Sequence, residues 1–93
     1  MGVRPRQRPK RLPEKLLAIR TALEVSQVQM VNRLDAEGAI VPGQISEFET
    51  GKREPSLIIL LQYARVAGVC VDVLIDDEQD LPANLPAKPK HKN

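Results

Sequence analysis

Apolar residues in this chain recur at helical spacing, in short stretches that are each opened by a capping residue or closed by a stop signal. Leu12, Leu16, Ile19 and Leu23 share one helical face, with Leu17 broadening the stripe. Pro13 suits a first helical turn, where its missing N–H would have had no partner anyway. A first helix is therefore predicted over 13–24. Ser26 followed by Gln29 forms a capping-box pattern. It opens a second helix from Gln27 to at least Leu34, with Met30, Val31 and Leu34 facing inward. Asp35 to Gly38 either adds a turn to that helix or enlarges the connection, and Ala39 to Val41 is a connector. Pro42 opens a third helix that ends at Gly51, with Ile45, Phe48 and Glu49 on one face. Ser56 caps a fourth helix whose face is Leu57, Leu60, Leu61, Ala64 and Ala67, stopped by Gly68. The run Leu57–Leu61 alone would suit a strand, but the helical pattern continues well beyond strand length. Asp72 caps a short last helix through Leu74 and Ile75.

With 93 residues the chain makes one small domain, so each apolar face has to be buried to build a core. Phe48 and Tyr63 are its only aromatics, which argues against a base-stacking surface for single-stranded RNA. The net charge of +2 is uninformative, but its distribution is not. Residues 1–11 hold Arg4, Arg6, Arg8, Lys10 and Arg11 with no acid, and read as a flexible basic arm. Such an arm is either a solvated tail or a nucleic-acid contact that follows a groove or its phosphates. Residues 12–80 form the domain, ending in the acidic run Asp76–Asp80, which reads as a solvated exit. Residues 81–93, rich in proline and lysine, read as a disordered tail.

Cys70 is alone, which rules out an internal disulfide or a cysteine-rich zinc site, and its apolar neighbours Val69 and Val71 suggest a buried thiol. The acidic run lacks the glycine and ligand spacing of a calcium loop, and no cofactor or metal is expected. No apolar run approaches a membrane span or signal-peptide core, so a cytoplasmic location and no membrane partner are expected. The predicted domain holds no histidine, phosphate loop or nucleophile elbow, so a catalytic function is not expected. Arg20 falls at the border of the first helix's buried face, where a guanidinium needs a partner.

Arg20, Ser26-Gln27, the string Ile45-Ser-Glu-Phe-Glu-Thr-Gly-Lys-Arg-Glu-Pro-Ser56, Val66-Ala-Gly-Val69 and Asp72-Val-Leu74 now stand together. Over Leu12–Ile75 the chain resembles the phage-repressor (Cro/repressor-type, XRE) helix-turn-helix family. The resemblance implies an all-α fold, a compact five-helix lambda-repressor-like domain whose third helix, about 42–50, enters the major groove of double-stranded DNA. It implies that Arg20 pairs with Glu49 as a structural ion pair, and that Gln27 meets a phosphate at the start of the second helix. Lys52 and Arg53 match positions near the backbone, though they equally complement the negative end of the third helix.

The sequence departs from the family where bases would be read. There is an insertion placed at Asp35–Gly38, and Pro42 and Gly43 offer no hydrogen-bonding side chain. Gln44, Ser46, Glu47 and Thr50 remain as the candidate groove-facing set, backed by Lys52, Arg53 and the arm's Arg8, Lys10 and Arg11. The expected function is a small sequence-specific transcription regulator, repressor-like and possible as a homodimer. The alternative is a protein-interaction module on the same scaffold, antitoxin-like or bound to a regulator.

Overall fold

Local capping decides where two of the helices begin. In the computed structural model, which describes residues 8–85, the Ser26 hydroxyl accepts from the Gln29 N–H at 3.1 Å and the Gln29 side chain accepts from the Ser26 N–H at 2.8 Å. Ser56 likewise accepts from the Ile59 N–H at 3.2 Å. Among the described residues the chain forms five helices and no strand: α1 (Leu12–Leu23), α2 (Gln27–Arg33), α3 (Pro42–Thr50), α4 (Leu57–Ala67) and α5 (Val71–Ile75). The fold is all-α. None of the described helices is long and apolar enough to cross a membrane.

α3 lies against both α1 and α2, while α1 also meets α4 and α5. Leu16, Ile19, Met30, Leu34, Ile45 and Leu74 are fully buried where these faces converge. Each such side chain contributes roughly 2 kcal/mol by leaving water. Tyr63 is equally buried, and that burial pushes its phenol well above the ordinary range.

The connection between α2 and α3 is enlarged, and α2 is not lengthened. α2 stops at Arg33, and its terminal Leu34 carbonyl accepts from the Gln62 side chain of α4 at 3.1 Å. Asp35 and Gly38 then take positive φ values of 54° and 85°, folding the chain back so that Ala36 is buried. The Ala36 carbonyl accepts from both Ala39 and Ile40 N–H groups, at 2.9 and 3.1 Å.

Lys15 was not expected in the core, yet it is only 2% exposed. Its Nζ donates to the carbonyls of Val73, Asp76 and Gln79 at 2.8, 2.9 and 2.7 Å. These carbonyls cluster at the C-terminal end of α5 and the turn beyond it, where a cation is favoured by the helix dipole. A buried ammonium is tolerated because all three of its donors find acceptors.

Other expectations need correction. Leu17 is exposed, and Lys15 takes the flank of the α1 face instead. The α4 face is Ile59, Leu60, Tyr63, Ala64 and Ala67, while Leu57 is 81% exposed. Five consecutive apolar residues do not define a face by themselves, and the cap at Ser56 places Leu57 at the outer first position. Cys70 is exposed, because it is the extended N-cap residue of α5 at a corner of the chain. Asp72 accordingly sits inside the first turn of α5 and is not its cap. Leu81 and Leu85 are half-buried against the core, so the chain stays on the body past the predicted start of the tail.

Candidate nucleic-acid interface

The family resemblance implies an ion pair between Arg20 and Glu49, and the structure contains it. Arg20 Nε donates to Glu49 Oε2 at 2.6 Å and Nη2 donates to Oε1 at 3.1 Å, a two-pronged geometry only a guanidinium offers. The remaining Nη1 donates to the Val25 carbonyl at 3.0 Å. Hydrogen bonding to Glu49 raises the Arg20 pKa against the opposing effect of burial. Gln27 reaches the same carboxylate through Nε2 at 3.4 Å. One carboxylate on α3 is thus held from α1 and from the start of α2, which fixes the placement of α2 and α3.

With Ile45 and Phe48 buried, the opposite side of α3 faces outward. Gly43 and Thr50 are exposed there, and Ser46 and Glu47 are half-buried. Several of these side chains already have partners within the chain. Gln44 Oε1 accepts from the Val41 N–H at 3.0 Å, the half of a capping box that needs no acceptor on the Val41 side chain. Thr50 Oγ1 donates to the Ser46 carbonyl at 3.0 Å. Glu47 Oε1 accepts from Arg53 Nε at 2.6 Å across the end of the helix. Gly51 makes that end possible with a φ of 81°, and the Lys52 and Arg53 N–H groups return to the Glu47 carbonyl at 2.9 and 3.2 Å. Lys52 and Arg53 are then exposed side by side at the negative end of α3.

The arm residues within the described range are not free of the body, which corrects the expectation of an arm flexible through Arg11; Arg4 and Arg6 lie outside those residues. Arg8 lies 3.6 Å from Glu54, and Arg11 pairs with Asp80 at 2.8 Å and Glu14 at 3.2 Å. Those acidic partners raise the Arg11 pKa, Asp80 first and Glu14 second. Arg8, Lys10, Gly51, Arg53 and Glu54 line one open cleft of about 250 Å³ between the arm and the turn ending α3. The structure therefore brings Arg8, Lys10 and Arg53 to one cleft, places Gln44 with Arg53 along a second groove, and holds Arg11 against Asp77 and Asp80 and Gln27 against Glu49. The part played by Asp77, Asp80 and Glu54 in holding the arm was missed. Opposite charge on the two flanking segments was the signal available for the first two.

No protein-family model, curated protein or solved structure matches this chain. The resemblance to the helix-turn-helix family therefore stands on the motif residues themselves. Among the described residues no group of three His, Cys, Asp or Glu side chains is placed to hold a metal ion.

Proposed function

We propose that this domain binds double-stranded DNA and acts as a small transcription regulator of the phage-repressor helix-turn-helix type, by binding and not by catalysis. The observation that carries this reading is the shared Glu49 carboxylate, which ties α2 and α3 to α1 while leaving the outer face of α3 to solvent. In that reading α3 lies in the major groove, with Ser46, Glu47 and Thr50 toward base edges and Lys52, Arg53, Arg8 and Lys10 toward phosphate. Glu47 suits a cytosine N4 donor once Arg53 has turned to a phosphate. Gln44 supports base reading through its amide nitrogen only, since its oxygen caps α3. A cytoplasmic location belongs to the same reading.

Selection of bound duplexes from a random pool tests the proposal, followed by titration of the enriched site at two salt concentrations. An enriched motif whose affinity falls steeply with salt is expected, and an inverted repeat would indicate use as a homodimer. Recovery of unenriched sequence, or equal affinity for competitor DNA, would sink the reading.

A second reading is a protein-interaction module on the same scaffold. Its support is apolar exposure: Val41 at 59%, Leu57 at 81% and Ile58 at 68%. Ile58 lines an open groove of about 420 Å³ together with Ala39, Ile40 and Gln44. A stoichiometric complex lost on substituting Leu57 and Ile58 by serine, with no duplex enriched, would favour it.

A further inference from the structure

α1 begins without a capping side chain of its own, because Arg11 occupies the N-cap position. The missing acceptor comes from Asp77, 66 residues away in sequence from Arg11. Asp77 Oδ1 accepts from the Arg11 N–H at 2.9 Å, and Oδ2 accepts from the Lys10 N–H at 2.9 Å. Arg11 returns the contact, donating from Nη1 to the Asp77 carbonyl at 3.0 Å while Nη2 meets Asp80. The two backbone N–H groups hold the Asp77 carboxyl below the usual carboxylate range.

The seat is itself anchored. Asp76 accepts from the Glu78 N–H at 2.9 Å and from the Gln79 side chain at 3.1 Å, closing the turn around Asp77. Beneath that turn the buried Lys15 ammonium gathers the carbonyls of Val73, Asp76 and Gln79. The acidic segment is therefore a shaped receptor for two consecutive backbone N–H groups of the arm. Fixing Lys10 and Arg11 there also fixes the direction of the residues before them. Arg8 and Lys10 are led past the Gly51–Pro55 turn, where they share a cleft with Arg53.

We propose that Asp77 is a positioning residue for nucleic-acid binding, which seats the root of the basic arm so that Arg8 and Lys10 join Lys52 and Arg53 as one phosphate-binding surface. This inference rests on the DNA-binding reading above. A seated arm has less freedom to lose when it meets a phosphate strand, so its cations contribute more than those of a free tail. The local acids work against this by repelling phosphate, which sets the control needed in the test.

The full chain carrying Asp77→Asn is compared with Asp72→Asn, which removes the same charge from an exposed position on α5. Trypsin cleavage after Lys10 and Arg11, read by mass spectrometry, reports the seat without any DNA. Wild type and Asp72→Asn should resist, and Asp77→Asn should be cut about tenfold faster as the root opens locally. In fluorescence anisotropy titrations on a selected duplex, Asp77→Asn should bind about three- to tenfold more weakly than Asp72→Asn. Its dependence of log Kd on log salt should be shallower by about 2, the two phosphate contacts of Arg8 and Lys10. Arg8→Ala with Lys10→Ala, leaving the seat intact, should reproduce the shallower slope, and adding Asp77→Asn should lower it no further.

Equal affinity and slope for the two Asn variants would overturn the positioning role while leaving DNA binding in place. Weaker binding at an unchanged slope would also overturn it, by showing that Asp77 acts only as a cap for α1. If the wild-type chain binds no duplex, the DNA reading and the positioning role fall together, and trypsin alone decides whether the arm is seated.

Discussion

Separating Arg20 from Glu49 should be costly, because both side chains are largely withdrawn from water. The Arg20 side chain is 20% exposed and that of Glu49 only 5%. Arg20→Met strands the Glu49 carboxylate with the 3.4 Å contact from Gln27, and frees the Val25 carbonyl. Breaking a buried pair from one side costs about 3–5 kcal/mol, and this pair lies near the lower end because one partner keeps a fifth of its surface. We expect about 3 kcal/mol for Arg20→Met and about 2–3 kcal/mol for Glu49→Met, where the guanidinium can rehydrate in part. The double variant removes both charges, so its cost should stay near about 3 kcal/mol, a coupling of about 2–3 kcal/mol. Against a typical domain stability of about 5–15 kcal/mol, either single change is readily measured by urea denaturation followed by circular dichroism. A coupling below about 0.5 kcal/mol would show that the pair does not hold α3 to α1, and the reasoning behind the fixed α2–α3 unit would fail.

Lys15→Met keeps the length of the side chain but leaves three carbonyls without their ammonium, and should lower stability by about 2–4 kcal/mol. A loss under about 0.5 kcal/mol in urea denaturation would mean that water replaces the ammonium freely. Gly51→Ala forces an L side chain to a φ of 81° with its Cβ 3.4 Å from Pro13 Cγ, and should cost about 1–2 kcal/mol. An unchanged thermal midpoint would refute that cost. Acid should loosen the seat of the arm, because the Asp77 carboxyl is held below its usual range by the Arg11 and Lys10 N–H groups. A depressed folded-state pKa stabilises above the unfolded-state value and is lost as pH falls through the folded one. The urea midpoint of the wild type should therefore fall further than that of Asp77→Asn between about pH 5 and pH 3; parallel profiles would contradict this.

Helix starts and stops were legible in the residues because their causes are local. Ser26 and Ser56 accept from N–H groups three positions on, and Gly51 takes a backbone conformation that other residues avoid. The pairing of Arg20 with Glu49 was also legible, through the motif that the chain resembles and the need of a border guanidinium for a partner. The α4 face differs from the expected one because the run Leu57–Leu61 is apolar on every side, so helical spacing alone does not select Ile59 over Leu57. The burial of Lys15 and the exposure of Cys70 have a related cause: residue type sets an average burial, whereas neighbours decide the particular one.

The sequence by itself determined the five helices, the caps at Ser26 and Ser56 and the stops at Gly51 and Gly68, since capping, glycine turns and apolar period act within a few residues of one another. It also determined that a basic segment precedes the domain and an acidic run closes it. Only the tertiary structure decided that these segments meet, because Asp77 and Arg11 become neighbours once α1 packs on α5 and Lys15 is sealed beneath the turn between them. Packing of α2 on α3 likewise occupied Gln27 with Glu49, whereas Gln44 and Glu47 are occupied by Val41 and Arg53, their near neighbours in the chain. Contacts between distant segments, such as those of Arg11 with Asp77 and Gln27 with Glu49, depend on how the helices pack, and no local pattern encodes them.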